Sequence, residues 1–106
     1  MHELSSEKLI TIITTDVLED RLITIVKAHG ASGYTIQRAR GGGSSGEQSG
    51  MLDVDTNITF HVVLPPDRLS GVLADLHRLI RKHYHLTVWV SDVSVLRPEK
   101  FSDPLA

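Results

Sequence analysis

Val54-Asp55-Thr56-Asn57-Ile58-Thr59-Phe60-His61-Val62-Val63-Leu64-Pro65-Pro66-Asp67 is the stretch on which the fold turns. In an extended chain, Val54, Thr56, Ile58, Phe60, Val62 and Leu64 share one face. Asp55, Asn57, Thr59 and His61 share the other. Such alternation predicts a strand with one buried face. Pro65-Pro66-Asp67 ends that strand and opens a helix, since proline suits a first helical turn and an acid there complements the helix dipole.

Downstream, Leu69, Val72, Leu73, Leu76, Leu79 and Ile80 form an apolar stripe at helical spacing, and Arg78, Arg81 and Lys82 gather at its C-terminal end. A long last strand follows over Leu86–Leu96. Its apolar set is Leu86, Val88 and Val90, then Val93 and Val95. This change of parity predicts a bulge near Ser91-Asp92. Residues 97–106 carry two prolines and read as an irregular tail.

Upstream, Gly41–Gly50 holds five of the eight glycines and three serines, too little apolar surface for packed structure. It reads as a long flexible loop, about 41–53. Before it, Gly33–Arg40 reads as a strand. Before that, Leu18, Leu22, Ile25 and Val26 mark one helix face, with Gly30 as its stop. Asp16 and Glu19 have the spacing of a capping box. The β-branched run Lys8–Thr15 reads as a buried first strand.

The order is β-α-β-β-α-β, an α+β fold of ferredoxin-like type, in one domain spanning 1–106. Two helices cover only one face of a four-stranded sheet. Val63, Trp89, Val93 and Val95 are expected on the other face, and an apolar patch there predicts self-association.

Bulk composition narrows the function. The hydrophobic fraction is 41%, the charged fraction 23% and the net charge −2. That balance argues against general nucleic-acid binding, which favours a basic face. There is no cysteine, so disulfides and thiolate metal sites are excluded. No apolar run approaches the ~20 residues of a membrane span. Met1–Lys8 lacks the basic start and apolar stretch of an export signal. A cytoplasmic protein is expected.

Three groups of residues invite chemistry. Arg38 and Arg40 lead into Gly41-Gly42-Gly43, where charge and accessible backbone amides would suit a phosphate. The run fits neither a P-loop nor a dinucleotide fingerprint, and a plain glycine-rich linker is the commoner meaning of such sequence. His61, His83 and His85 could share a metal, although their spacing matches no usual zinc pattern and histidines near a helix end need no metal to explain them. Asp53, Asp55 and Asp92 could pair, but the first two suit turn formation. No G-x-S-x-G elbow or other catalytic constellation is found, so an enzyme is not expected.

Gly33-Tyr34-Thr35-Ile36, then Arg40-Gly41-Gly42-Gly43 and a long loop, resembles the second strand and T-loop base of PII signalling proteins. His61–Asp67 resembles their third strand and helix start, and Trp89–Val93 their last strand. Val95–Phe101 is similar to the PII-like subgroup associated with bicarbonate transport and carboxysomes. The resemblance runs from Lys8 to about Phe101. It implies a homotrimer that binds adenine nucleotides between subunits, with no prosthetic group. The T-loop would report the bound state to a partner protein, a transporter or carboxysome component. Thr35 matches a nucleotide-contacting position and Val63 one lining the adenine pocket, Gly41, Gly42 and Gly43 match the T-loop base, Arg97 falls near the family's C-terminal arginines that reach phosphates, and Leu86, Thr87 and Val88 fall at the same cleft. Arg38 and Arg40 join them on charge.

One departure stands out. The family's glycine-rich B-loop, with its lysine, is replaced by Lys82-His83-Tyr84-His85-Leu86-Thr87. Fewer backbone donors can then surround a triphosphate, so AMP or ADP is expected to be favoured over ATP. The loop lacks the tyrosine that some PII proteins uridylylate, and the missing lysine puts 2-oxoglutarate sensing in doubt. Bicarbonate is a second ligand implied by the subgroup alone. The competing reading is a metal-binding trimer of the divalent-cation-tolerance type, which requires the histidines to converge. A small enzyme on the same fold is a third.

Overall fold

The computed structural model describes residues 3–41 and 57–96. The predicted T-loop beyond Gly41, including Gly42 and Gly43, and the tail, including Arg97, lie outside them, as do Val54 and Thr56. The elements are β1 (Ser5–Thr15), a 3-10 turn (Asp16–Leu18), α1 (Glu19–Ala28), β2 (Thr35–Ala39), β3 (Asn57–Leu64), a 3-10 turn (Pro66–Arg68), α2 (Leu69–Arg81) and β4 (Thr87–Val95). The four strands form one antiparallel sheet in the order β2-β3-β1-β4. This is the predicted ferredoxin-like α+β fold.

The alternation in β3 is realised. Ile58, Phe60, Val62 and Leu64 are buried under the helices, and Asn57, Thr59, His61 and Val63 face the other way, half-buried. Ile10 and Ile12 of β1 and Leu22, Val26, Val72, Leu76 and Leu79 of the helices complete the core. Tyr34 stacks on Phe60 with ring centroids 5.4 Å apart.

Both helices end in the same way. Gly30 N–H donates to the Lys27 carbonyl and Ala31 N–H to Val26. His83 N–H donates to Ile80 and Tyr84 N–H to Leu79. These are Schellman closures, which need a left-handed residue one past the cap. Gly30 fills that place at φ 84° with little strain, whereas α2 uses His83 at φ 73°.

Across the helix pair, His29 Nε2 lies 2.7 Å from Asp75 Oδ2, and Arg78 also pairs with Asp75. The imidazole rests over Gly71. A Cβ there would stand 2.6 Å from His29 Cε1, so the glycine makes room for the bridge.

Four expectations are corrected. Asp16 caps nothing: it opens the 3-10 turn, and neither that turn nor α1 has a side-chain cap bond. β2 is shorter than Gly33–Arg40. Ile80 leaves the apolar stripe and is 41% exposed. β4 has no bulge, since its pairing with β1 runs without a break from Ser5↔Val95 to Ile13↔Thr87.

Candidate functional site

Directly opposed residues share a face, so the register maps the side of the sheet that the helices leave open. Thr35, His61, Thr11 and Trp89 make one row across all four strands. Gln37, Thr59, Ile13 and Thr87 make the next row, and Val63, Leu9 and Ser91 lie on the other side. The expected patch is present: Trp89 is exposed, and Val63, Val93 and Val95 are half-buried on this face. Thr11 is buried, with its Oγ1 3.3 Å from His61 Nδ1. Glu7 is also buried here, opposite Val93, and its Oε1 has no hydrogen-bond partner among the described residues. Thr11 and Glu7 were not singled out from sequence. The signal for them was the parity of β1, where Glu7, Leu9, Thr11 and Ile13 alternate with the core residues Ile10 and Ile12.

Apart from Val63 on the inner strand β3, the described candidate nucleotide residues divide between the two sheet edges. Thr35 begins β2, exposed on the open face. Arg38 is exposed but sits opposite Ile58, on the helix-side face, so β2 does not present it beside Thr35. Arg40 and Gly41 lie just past the strand, and Gly41 has open space where a Cβ would stand. Val63 lies on the open face of β3, opposite Leu9. At the far edge, Leu86 and Val88 pack against the core, and Thr87 is exposed on the open face. Three interstrand spacings, about 14 Å, separate β2 from β4. The two groups do not meet within one chain.

The connection from α2 to β4 runs over Lys82–Leu86. Tyr84 turns inward with the Arg21 guanidinium 5.1 Å from its ring centroid. The His85 carbonyl accepts from Thr14 Oγ1 at 2.8 Å. These contacts leave the His83 and His85 side chains exposed on either side of the tyrosine. A concavity of about 610 Å³ opens here, lined by Ile13, Ile80, His83, Tyr84, His85, Leu86 and Thr87.

Among the described residues, no three histidines or carboxylates gather in a way that would hold a metal ion. His61 stands in the middle of the sheet against Thr11, while His83 and His85 belong to the α2–β4 connection. The convergence that the metal reading requires does not occur among them. No helix of the described residues is long and apolar enough to cross a membrane.

This sheet order, with both helices on one face and an unclothed second face, is the ferredoxin-like architecture of PII-like signalling proteins. Residues 7–100 match the family model of nitrogen regulatory protein P-II, and the chain belongs to that family. Among solved structures, it is similar to a candidate PII-like signalling protein from Thermus thermophilus. The two are 33% identical with a TM-score of 0.77, covering 93% of this chain and 98% of that one. It is also similar to CPII from Thiomonas intermedia, a nitrogen regulatory PII-like protein bound to ADP, AMP and bicarbonate. There the identity is 26% and the TM-score 0.83, over 95% of this chain and 98% of the other. CPII is likewise known bound to ADP and bicarbonate. No curated protein matches the sequence at a significant level.

Proposed function

We propose that this protein is a PII-like sensor that assembles as a homotrimer and binds adenine nucleotides at the seams between subunits. One observation carries the reading: Thr35, Arg40 and Gly41 occupy one edge of the sheet and Thr87 the other, so only a second copy can complete a site from both. The apolar and hydroxyl-rich open face supplies the surface for that assembly. The ligands of CPII support the choice of ADP and AMP, with bicarbonate as a companion ligand. Gly42, Gly43 and Arg97 join the site on the family resemblance alone. Segment 41–53 carries the response to a partner protein in inorganic-carbon regulation. Any ordering of it costs on the order of 1–2 kcal/mol per residue, which ligand contacts must offset.

The α2–β4 connection contains no glycine, so it offers few freely approachable amides to a triphosphate. ADP and AMP are therefore favoured over ATP. Native mass measurement with calorimetry tests the reading. The expected result is a three-subunit mass, ADP and AMP binding tighter than ATP, and ADP affinity that changes with bicarbonate. A monomer that binds no adenine nucleotide would overturn it.

A further inference from the structure

The open face of the sheet carries an acceptor without a donor. Glu7 is only 6% exposed, and its Oε1 has no hydrogen-bond partner among the described residues. Ser5 Oγ, two residues away on the same face, is enclosed and likewise unpartnered among them. Both lie where β1 outruns β3. The β1–β3 register ends at Lys8↔Leu64, so Ser5, Ser6 and Glu7 pair with β4 alone. Around them on this face stand Leu9, Val93 and Val95. A buried acceptor left without a donor keeps its full desolvation cost, and such groups are rarely left unmatched in a working molecule.

Trp89 is the converse case. It stands on the same face, opposite Thr11, and is 46% exposed. Its indole N–H has no acceptor among the described residues. Hydroxyl, amide and imidazole groups on this face both donate and accept, and can serve one another as Thr11 and His61 do. A carboxylate only accepts, and an indole only donates. Glu7 and Trp89 are therefore complementary. Yet Glu7 lies four residues along β1 from Thr11, about 13 Å away, so the two side chains do not meet within one chain. When two copies close over the open face, the tryptophan loses the water that serves its N–H and needs an acceptor. In a three-subunit ring each copy meets the next through a different patch, so groups at different heights on the face can come together across a seam.

We infer that the Trp89 indole N–H of one copy donates to the Glu7 carboxyl group of the next, and that this pair fixes the register in which the copies assemble. The inference rests on the homotrimer proposed above. Glu7 is enclosed by its own chain, and rotation about its side-chain bonds presents the carboxyl group to an arriving donor. One contact then satisfies an orphan acceptor and an orphan donor at once. Surrounded by Leu9, Val93 and Val95, it penalises any register that leaves the carboxylate stranded.

The test is a double-mutant cycle on the full chain, read as the concentration of half-dissociation in sedimentation. The proteins are the wild type, Trp89→Phe, Glu7→Leu, Glu7→Gln and the Trp89→Phe/Glu7→Leu double variant. Phenylalanine keeps an aromatic ring and removes the donor, and leucine removes the acceptor. In the wild-type background, Glu7→Leu should raise the half-dissociation concentration about tenfold or more, as expected for a hydrogen bond to a charged group. Glu7→Gln still accepts and should raise it less. In the Trp89→Phe background the carboxylate is already stranded, so Glu7→Leu should lower it instead. A Glu7→Leu effect of the same sign and size in both backgrounds would overturn the pair, and ADP binding by those assemblies would leave the proposed function standing. A wild type that is monomeric at every concentration and binds no ADP would overturn both.

Discussion

Replacing Gly71 with alanine should have opposite effects depending on whether His29 is present. Gly71 lies inside α2, where alanine is favoured over glycine by about 1 kcal/mol. Yet a Cβ at this position would come within 2.6 Å of His29 Cε1 and 2.7 Å of Nδ1. The imidazole is the end of a side chain and can swing aside, but only by giving up its 2.7 Å contact with Asp75. A partly buried hydrogen bond to a carboxylate contributes about 1–2 kcal/mol. Asp75 keeps Arg78 as a partner, so no uncompensated charge is left behind. In the wild type, Gly71→Ala should thus be neutral or cost up to about 1 kcal/mol. In a His29→Ala background the obstruction is gone, and the same change should stabilise by about 1 kcal/mol. The coupling between the two sites should reach about 1–2 kcal/mol. Urea unfolding of all four proteins at one fixed protomer concentration measures it. Effects that add to within about 0.5 kcal/mol would refute the claim that Gly71 exists to seat the imidazole.

Three further outcomes follow from the packing. Phe60→Ala removes a side chain that is 0% exposed at the centre of the core, and should cost about 3–5 kcal/mol in urea unfolding. His83→Gly relieves the left-handed backbone at the end of α2, and should raise the urea midpoint by about 1 kcal/mol equivalent with an unchanged slope. Trp89→Asp puts a charge on the exposed tryptophan of the open face, and should reduce the mass in sedimentation while the far-ultraviolet spectrum is kept.

The sequence was most legible where one face of an element meets the core and the other does not. β3 is such a strand, and its alternation located Ile58, Phe60, Val62 and Leu64 without error. β4 misled because its apolar residues serve two faces. Val88 packs on the core below the helices, whereas Val93 and Val95 lie on the open face. The switch in parity reflects a change in which face carries the apolar residues along an unbroken ladder, and no bulge is involved. Asp16 misled for a local reason. A 3-10 turn intervenes before α1, so the residue with cap spacing stands too early to reach the helix. Ile80 fits the helical period, but α2 ends beside the exposed α2–β4 connection and leaves it uncovered.

The candidate site was legible as a set of residues and illegible as a place. Thr35 and Arg40 drew attention through their neighbours along the chain, and Thr87 through its position at the start of the last strand. Sequence alone does not say that β2 and β4 become opposite edges, because strand order depends on which pairs of strands find each other. The row that links Thr35 to His61, Thr11 and Trp89 emerges only once that order is known. The strain at His83 was equally hidden, since nothing in Lys82-His83-Tyr84 announces a left-handed residue in place of glycine.

Subunit mixing probes the seam most directly. Thr35→Asp spoils the β2 edge and Thr87→Asp the β4 edge, each at an exposed position in the chain, and each variant alone should bind ADP poorly. Unfolded together and refolded as a mixture, the two should regain ADP binding at those seams that join an unaltered β2 edge to an unaltered β4 edge. A mixture that co-assembles yet binds no more ADP than its parents would contradict a pocket shared between two copies.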